Sequence, residues 1–264
     1  MYDCGVNLCS SQFNNYIETL KQHSIDAGLK GWISISNSEK EWLPNLTYCK
    51  KYSDGDFTIR TTIGIHPHNA KSATLDTWKK LNSLISNNKI VAIGECGLDY
   101  NRMFSPAETQ MEVFIAQIEL ANKHNLPLYL HERDAFDDFY NLLSIYKAKY
   151  PNLKGIVHCF TGKKEHLLKY IELGFYIGIT GWICDNKRNS DLVEAIKYLP
   201  LDKLILETDS PFLIPYPYSK KWDSRRNQPD SLEFIVDKIS TIILKPKDEI
   251  ITKTTKNYKK LFLI

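Results

Sequence analysis

A chain of 264 residues, 43% of them hydrophobic and 25% charged, carries enough apolar material for a sizeable core, which excludes a disordered chain. Its net charge of +3, from 34 Lys and Arg against 31 Asp and Glu, is too slight to mark a nucleic-acid binder by composition; a polyanionic substrate stays open if basic side chains gather on one face. No run approaches the roughly 18 apolar residues of a membrane span, the first residues lack a basic segment followed by an apolar one, and the six cysteines include no Cys-x-x-Cys pair, so a cytoplasmic protein with reduced thiols and no membrane contact is expected.

Along the chain, short apolar runs alternate with longer amphipathic stretches, the pattern of βα units on a parallel sheet. Strands are predicted at 2–8, 31–36, 57–65, 90–95, 127–131, 155–160, 174–180 and 203–208. Helices are predicted at 106–124, 134–149, 163–173 and 189–198, the first with Ser105 as N-cap and Pro106 in its first turn. A Pro-rich loop at 210–230 follows the last strand, and then helical stretches at 230–243 and 247–261. Eight strands alternating with helices, with no internal linker or repeat, favour an α/β fold of the (β/α)8 TIM-barrel kind, one domain over 1–264, rather than a doubly wound sheet.

In such a barrel, functional side chains project from the C-terminal ends of the strands. Asp3 and Asn7 lie on the first run, His66 and His68 follow the third, Glu95 ends the fourth, His131 ends the fifth, His158 lies on the sixth and Asp209 follows the eighth. Taken singly, each has a plain structural reading: Glu95 could pair with Arg102 or Arg133, Asp209 could cap a turn, and a strand-end histidine is more often a hydrogen-bonded structural residue than a ligand. Convergence of Glu, His, His and Asp from four strand ends points instead to a metal centre, since a carboxylate at the end of a buried strand needs a partner or an ion. Histidine and carboxylate without thiolate suit Mg²⁺, Mn²⁺ or Zn²⁺. Cys96 and Cys159 adjoin these residues, but strand alternation turns a neighbour away and predicts core thiols. His23, His124 and His166 fall on helices and are expected at the surface or in packing.

The stretches GVNLCSSQF, GIHPH, AIGECGLDYNR, LHERDA, HCFTG, YIGITGWICD, LILETDSPFL and RRNQP, in this order, resemble the TatD family of metal-dependent deoxyribonucleases, within the amidohydrolase-like hydrolases, over essentially the whole chain. The resemblance implies a TIM barrel that hydrolyses DNA phosphodiesters with a divalent cation, Mg²⁺ first and Mn²⁺ or Zn²⁺ as alternatives, as a 3′ to 5′ exonuclease favouring single-stranded DNA. Residue by residue, it implies Glu95, His131, His158 and Asp209 as the metal residues, His66 facing the substrate, and Arg225 and Arg226 in a phosphate-holding loop. On that footing Glu95 and Asp209 are the expected catalytic residues, with Asp209 a ligand or the base that takes a proton from the attacking water. His68, Arg133, Lys220 and Lys221 are further candidates for substrate contact, and Phe160, Trp182 and Trp222 for base stacking. Many relatives begin Asp-x-His-x-His, whereas this chain reads Asp3-Cys4-Gly5-Val6-Asn7, which leaves one or two ions open. The rival classes are a metal-dependent hydrolase of another ester or an amide, such as an aminoacyl-tRNA deacylase, and a non-catalytic barrel that binds partners; no obligate protein partner is expected.

Overall fold

Each predicted run supplies a strand. The computed structural model describes residues 1–216, 218 and 226–263. In it β1 (Asp3–Val6), β2 (Gly31–Ser34), β3 (Thr58–Ile63), β4 (Ile90–Asp99), β5 (Leu128–Arg133), β6 (Gly155–Val157), β7 (Tyr176–Ile179) and β8 (Leu204–Leu206) follow one another in parallel around a barrel. The runs are apolar on both faces because both are buried. Cys4, Ile33, Ala92, Tyr129, Ile156 and Ile205 fill the inside, while Trp32, Ile93, Leu128, Val157 and Leu204 pack under the helices.

Three helices fill the first crossovers without having been singled out in the sequence: α1 (Ile17–Asp26), α2 (Glu39–Tyr52) and α3 (Leu75–Leu84). Pro44 lies inside α2, which masks that helix, since proline removes a donor from the helix interior. The helices α4 (Ala107–His124), α5 (Phe136–Lys149), α6 (Lys164–Glu172), α7 (Ser190–Ile196), α8 (Leu232–Ile243) and α9 (Lys247–Phe262) match the predicted stretches to within about two residues at each end, the usual scatter of helix boundaries. At the end of α9, Tyr258, Leu261 and Phe262 join the inner cluster, and Tyr258 stacks on Tyr2 with centroids 4.2 Å apart, which plugs the N-terminal end of the barrel. No helix of the described residues is long and apolar enough to cross a membrane.

Two details depart from expectation. Ser105 does not cap α4: Pro106 holds the cap position, and the buried Ser105 hydroxyl donates to His68 O and accepts from Lys71 N, both at 3.1 Å. It thereby ties the approach to α4 to the turn that carries His66 and His68. Asp3, expected with the strand-end polar residues, lies instead in the seam between β1 and β8. Its carboxylate accepts from the Thr208 amide at 2.9 Å and from the Thr208 hydroxyl, beside the single bridge Val6–Ser210 that joins the two edges.

Burial pushes the Asp3 carboxyl up to about 8, against the pull of its Thr208 and Gly5 hydrogen bonds. The folded chain therefore keeps a proton there that the unfolded chain, near the ordinary value of about 4, has lost. The stability this lends is complete below about pH 4 and is lost as pH rises through about 8. Asp3→Asn, which does not titrate, is expected to flatten the fall in Tm between these limits, an effect on the order of a few kcal/mol. Equal pH slopes of Tm in the two proteins would exclude this account.

Candidate metal centre and cleft

The aim of Glu95 depends on one extra residue in β4. Gly94 pairs with Tyr129 and Cys96 with Leu130, so Glu95 has no partner of its own on β5 and is the additional residue of a bulge. Ile93 and Cys96 both pack outside the barrel, which strict alternation forbids for residues three apart. The bulge shifts the phase, and Glu95 turns inward where regular pairing would have turned it out. Gly97 lets the strand pass close to β5: it has φ 145°, and a Cβ there would fall 1.9 Å from His131 O.

Around Glu95 the strand ends supply histidines. His131 Nδ1 donates to Glu95 Oε1 at 2.8 Å, and His66 Nε2 lies 3.5 Å from the same oxygen. Asp99 backs the group: its Oδ2 is 2.6 Å from His68 Nε2 and 3.4 Å from His131 Nε2. Burial alone would push the Glu95 carboxyl up, yet His66, His131 and His158 hold it well below the usual carboxylate range. Burial opposes charge on His131 too, but Asp99 and Glu95 raise it to about 9; His66, buried and beside His131, falls to about 3. The carboxylates thus favour charge on His131, while burial and His131 disfavour it on His66.

A second group lies beside the first. Donor atoms of His158, Cys159 and Asp209 fall within 4.8 Å of one another, as do those of His66, Glu95 and His131. His158 Nε2 is 3.8 Å from Asp209 Oδ1, which also accepts from Asn7 Nδ2 at 2.9 Å. Burial raises Asp209 to about 6, with His158 pulling the other way. Burial lowers His158, but buried Glu207 outweighs it and the ring is raised to about 10. Cys159 is not the core thiol that alternation predicts. β6 ends at Val157, Cys159 has φ 45°, and its half-buried Sγ lies by Thr180 Oγ1 at 3.3 Å, on the cleft wall. Cys96, by contrast, is buried outside the barrel. Asp209 too is left-handed (φ 55°), a conformation uncommon outside glycine and concentrated at functional sites.

Both groups open into one cleft of about 1210 Å³ that the four expected metal residues share with His66, His68 and Arg133. Arg133 is exposed on its rim, as are Arg102 and Lys163. The stacking candidates fare differently. Phe160 is only 3% exposed and meets Tyr170 edge to face, so it builds the wall and offers no free face to a base. Trp182 is half-buried with the Arg188 guanidinium 4.2 Å over its ring. Phe212, 50% exposed on the cleft, and Phe104, 55% exposed and edge-on to His68, are the more open rings. Arg226 is turned elsewhere: its guanidinium lies 4.0 Å over the Tyr16 ring and donates to Gln12 O, and it is not part of the cleft lining. Arg225, Lys220, Lys221 and Trp222 lie outside the described residues. His166, expected in surface or packing roles, stacks on Phe136 at 3.5 Å and also lines the cleft.

Asp99, Glu207 and Tyr129 join the site without having stood out in the sequence. Period-two counting offered a signal for each: Glu207 shares the inward phase of Ile205, Tyr129 that of His131, and Asp99 that of Gly97.

A parallel eight-stranded barrel with histidines and carboxylates gathered at the C-terminal strand ends is a TIM barrel carrying a candidate metal centre. The chain belongs to the TatD-related DNase family, which it matches over residues 2–263. It is 38% identical over 240 residues to the 3′-5′ ssDNA/RNA exonuclease TatD of Escherichia coli strain K12, covering 91% of this chain and 90% of that protein. The 3′-5′ ssDNA/RNA exonuclease TatD of Rahnella sp. strain Y9602 is 37% identical over 264 residues, 100% of this chain and 98% of that one. Among solved structures, a TatD family hydrolase of Entamoeba histolytica superposes with a TM-score of 0.89 at 27% identity, over 99% of this chain and 97% of that one.

Proposed function

We propose that this chain is a metal-dependent deoxyribonuclease that removes nucleotides from the 3′ end of single-stranded DNA, in the cytoplasm, with Mg²⁺ first and Mn²⁺ or Zn²⁺ compatible with the same donors. The observation that carries this reading is the meeting of Glu95, His131, His158 and Asp209 in one cleft, in a chain whose relatives bear the name 3′-5′ ssDNA/RNA exonuclease. The donor set fits a divalent cation of borderline or hard character, being imidazole and carboxylate in the main.

Glu95, His131 and His158 would hold the cation, with Asp209 at its edge. A divalent cation bound there would lower the pKa of a water and polarise a phosphoryl oxygen. Asp209, raised by burial to about 6, is ionised at neutral pH yet basic enough to take the proton of the attacking water. Asn7 holds Asp209 Oδ1, the oxygen that also faces His158 Nε2. Arg133, Arg102 and Lys163 on the rim would hold phosphates, and His66 and His68 would meet the terminal nucleotide. A base could stack on the exposed Phe212 ring, a contact worth roughly 1 to 3 kcal/mol that tolerates any sequence.

The test is an assay on single-stranded DNA labelled at either end, with an RNA of the same sequence alongside, in Mg²⁺, in Mn²⁺ and in EDTA. With either ion, a 3′ label is expected to leave first as a mononucleotide while a 5′ label traces a shortening ladder, and EDTA is expected to stop both. Intact DNA and RNA under every condition would return the site to the ester and amide chemistries.

A further inference from the structure

Beneath the cleft lies a buried carboxylate for which two strands make room. Glu207 is wholly inaccessible to solvent. A Cβ at Gly178 on β7 would fall 1.5 Å from its Oε1, and a Cβ at Gly5 on β1 would fall 3.0 Å from its Oε2. Neither glycine has a positive φ, so space and not backbone freedom is what each supplies. The same Cβ at Gly5 would lie 2.8 Å from the hydroxyl of Tyr129, which reaches across the barrel from β5.

Every polar atom in this nest has a partner. Glu207 Oε1 accepts from the Cys159 amide at 3.2 Å, and Oε2 accepts from the Tyr129 hydroxyl and from His158 Nδ1, the latter at 2.5 Å. Tyr129 Oη lies 2.8 Å from the same Nδ1. With Nδ1–H committed below, His158 has only Nε2 to present to the cleft, where Asp209 lies.

We propose that Tyr129 and Glu207 are positioning residues for His158: a cross-barrel phenol and a buried carboxylate, seated in the gap left by Gly5 and Gly178, fix which ring nitrogen faces the cleft. The inference rests on the proposed cation site, whose affinity would then depend on two groups that do not touch the cation. A ligand histidine whose other nitrogen donates to a carboxylate is held in one tautomer and orientation, and losing such a partner typically costs about 10- to 100-fold in metal affinity.

The experiment is calorimetric titration of Mn²⁺ into the wild type, Tyr129→Phe, Glu207→Gln and Gly5→Ala, with ¹⁵N spectra of the His158 ring and with Tm as a check on folding. Glu207→Gln is expected to weaken Mn²⁺ binding by about 10- to 100-fold, and Tyr129→Phe, which keeps the ring and loses only the hydroxyl, by about 10-fold. Both are expected to move the His158 ¹⁵N shifts of the cation-free protein, which a loss of packing alone would not do. Gly5→Ala is expected to weaken binding in the wild type and to add less in the Tyr129→Phe background, where the 2.8 Å approach to the hydroxyl is gone and the 3.0 Å approach to Glu207 Oε2 remains. If Glu207→Gln fails to fold, Tyr129→Phe decides alone. Wild-type binding with Tyr129→Phe within twofold of it and unchanged ¹⁵N shifts would overturn the inference and leave the cation site standing. No Mn²⁺ binding by the wild type would overturn both.

Discussion

Asp209→Asn is expected to lower turnover of single-stranded DNA by at least about 10²-fold while leaving Mn²⁺ binding partly in place. Asparagine suits the left-handed backbone of this position, and its carbonyl can still accept from Asn7 Nδ2, so the local structure has little reason to change. What it cannot do is take a proton, which is the task assigned to Asp209. Glu95→Ala is expected to differ in kind. It deletes the oxygen on which His131 and His66 converge and should lose both binding and turnover. Steady-state rates on labelled DNA together with a Mn²⁺ titration separate the two. An Asp209→Asn enzyme within threefold of wild-type turnover would remove Asp209 from the chemistry.

Gly178→Ala is expected to cost far more stability than a single methyl group usually does. Its Cβ would fall 1.5 Å from Glu207 Oε1 and 2.6 Å from Glu207 Cδ, with Ile156 Cδ1 at 3.1 Å closing the remaining side. The carboxylate cannot retreat without leaving His158, Tyr129 and the Cys159 amide, and displacing one member of a buried, paired set costs about 3 to 5 kcal/mol. For a chain of this size that corresponds to a fall in Tm of roughly 6 to 20 °C. A variant that melts within 2 °C of the wild type would mean that the nest beneath His158 is looser than its contacts indicate.

The barrel was legible because its strands are buried on both faces and so read as plain apolar runs between amphipathic helices. The polar residues that break those runs, Glu95, His131, His158 and Asp209, were legible for the same reason, and all four line the one cleft. Other features were hidden where a local rule stopped applying. Alternation misplaced Cys159 because the strand ends two residues earlier, at Val157, and the chain turns left-handed. Phe160 and Arg226 lie outside the strands, where no period links position to direction, and each is taken up by neighbours: Phe160 by Tyr170 in the cleft wall, Arg226 by Tyr16 and Gln12. Glu207 was within reach of period-two counting, but a glutamate at the end of "LILE" reads equally well as the exposed finish of a strand.

The additional residue in β4 also divides the labour of that strand. Before it, Val91, Ala92 and Ile93 are packing residues; from it onward Glu95 and Asp99 line the cleft while Cys96 and Leu98 pack outside the barrel. Because the phase is reset between the two halves, Asp99 faces the cleft through the bulge and not through the alternation that runs up from Ile93. The bearing of the chemistry above is thus set by one inserted residue and not by the core below it.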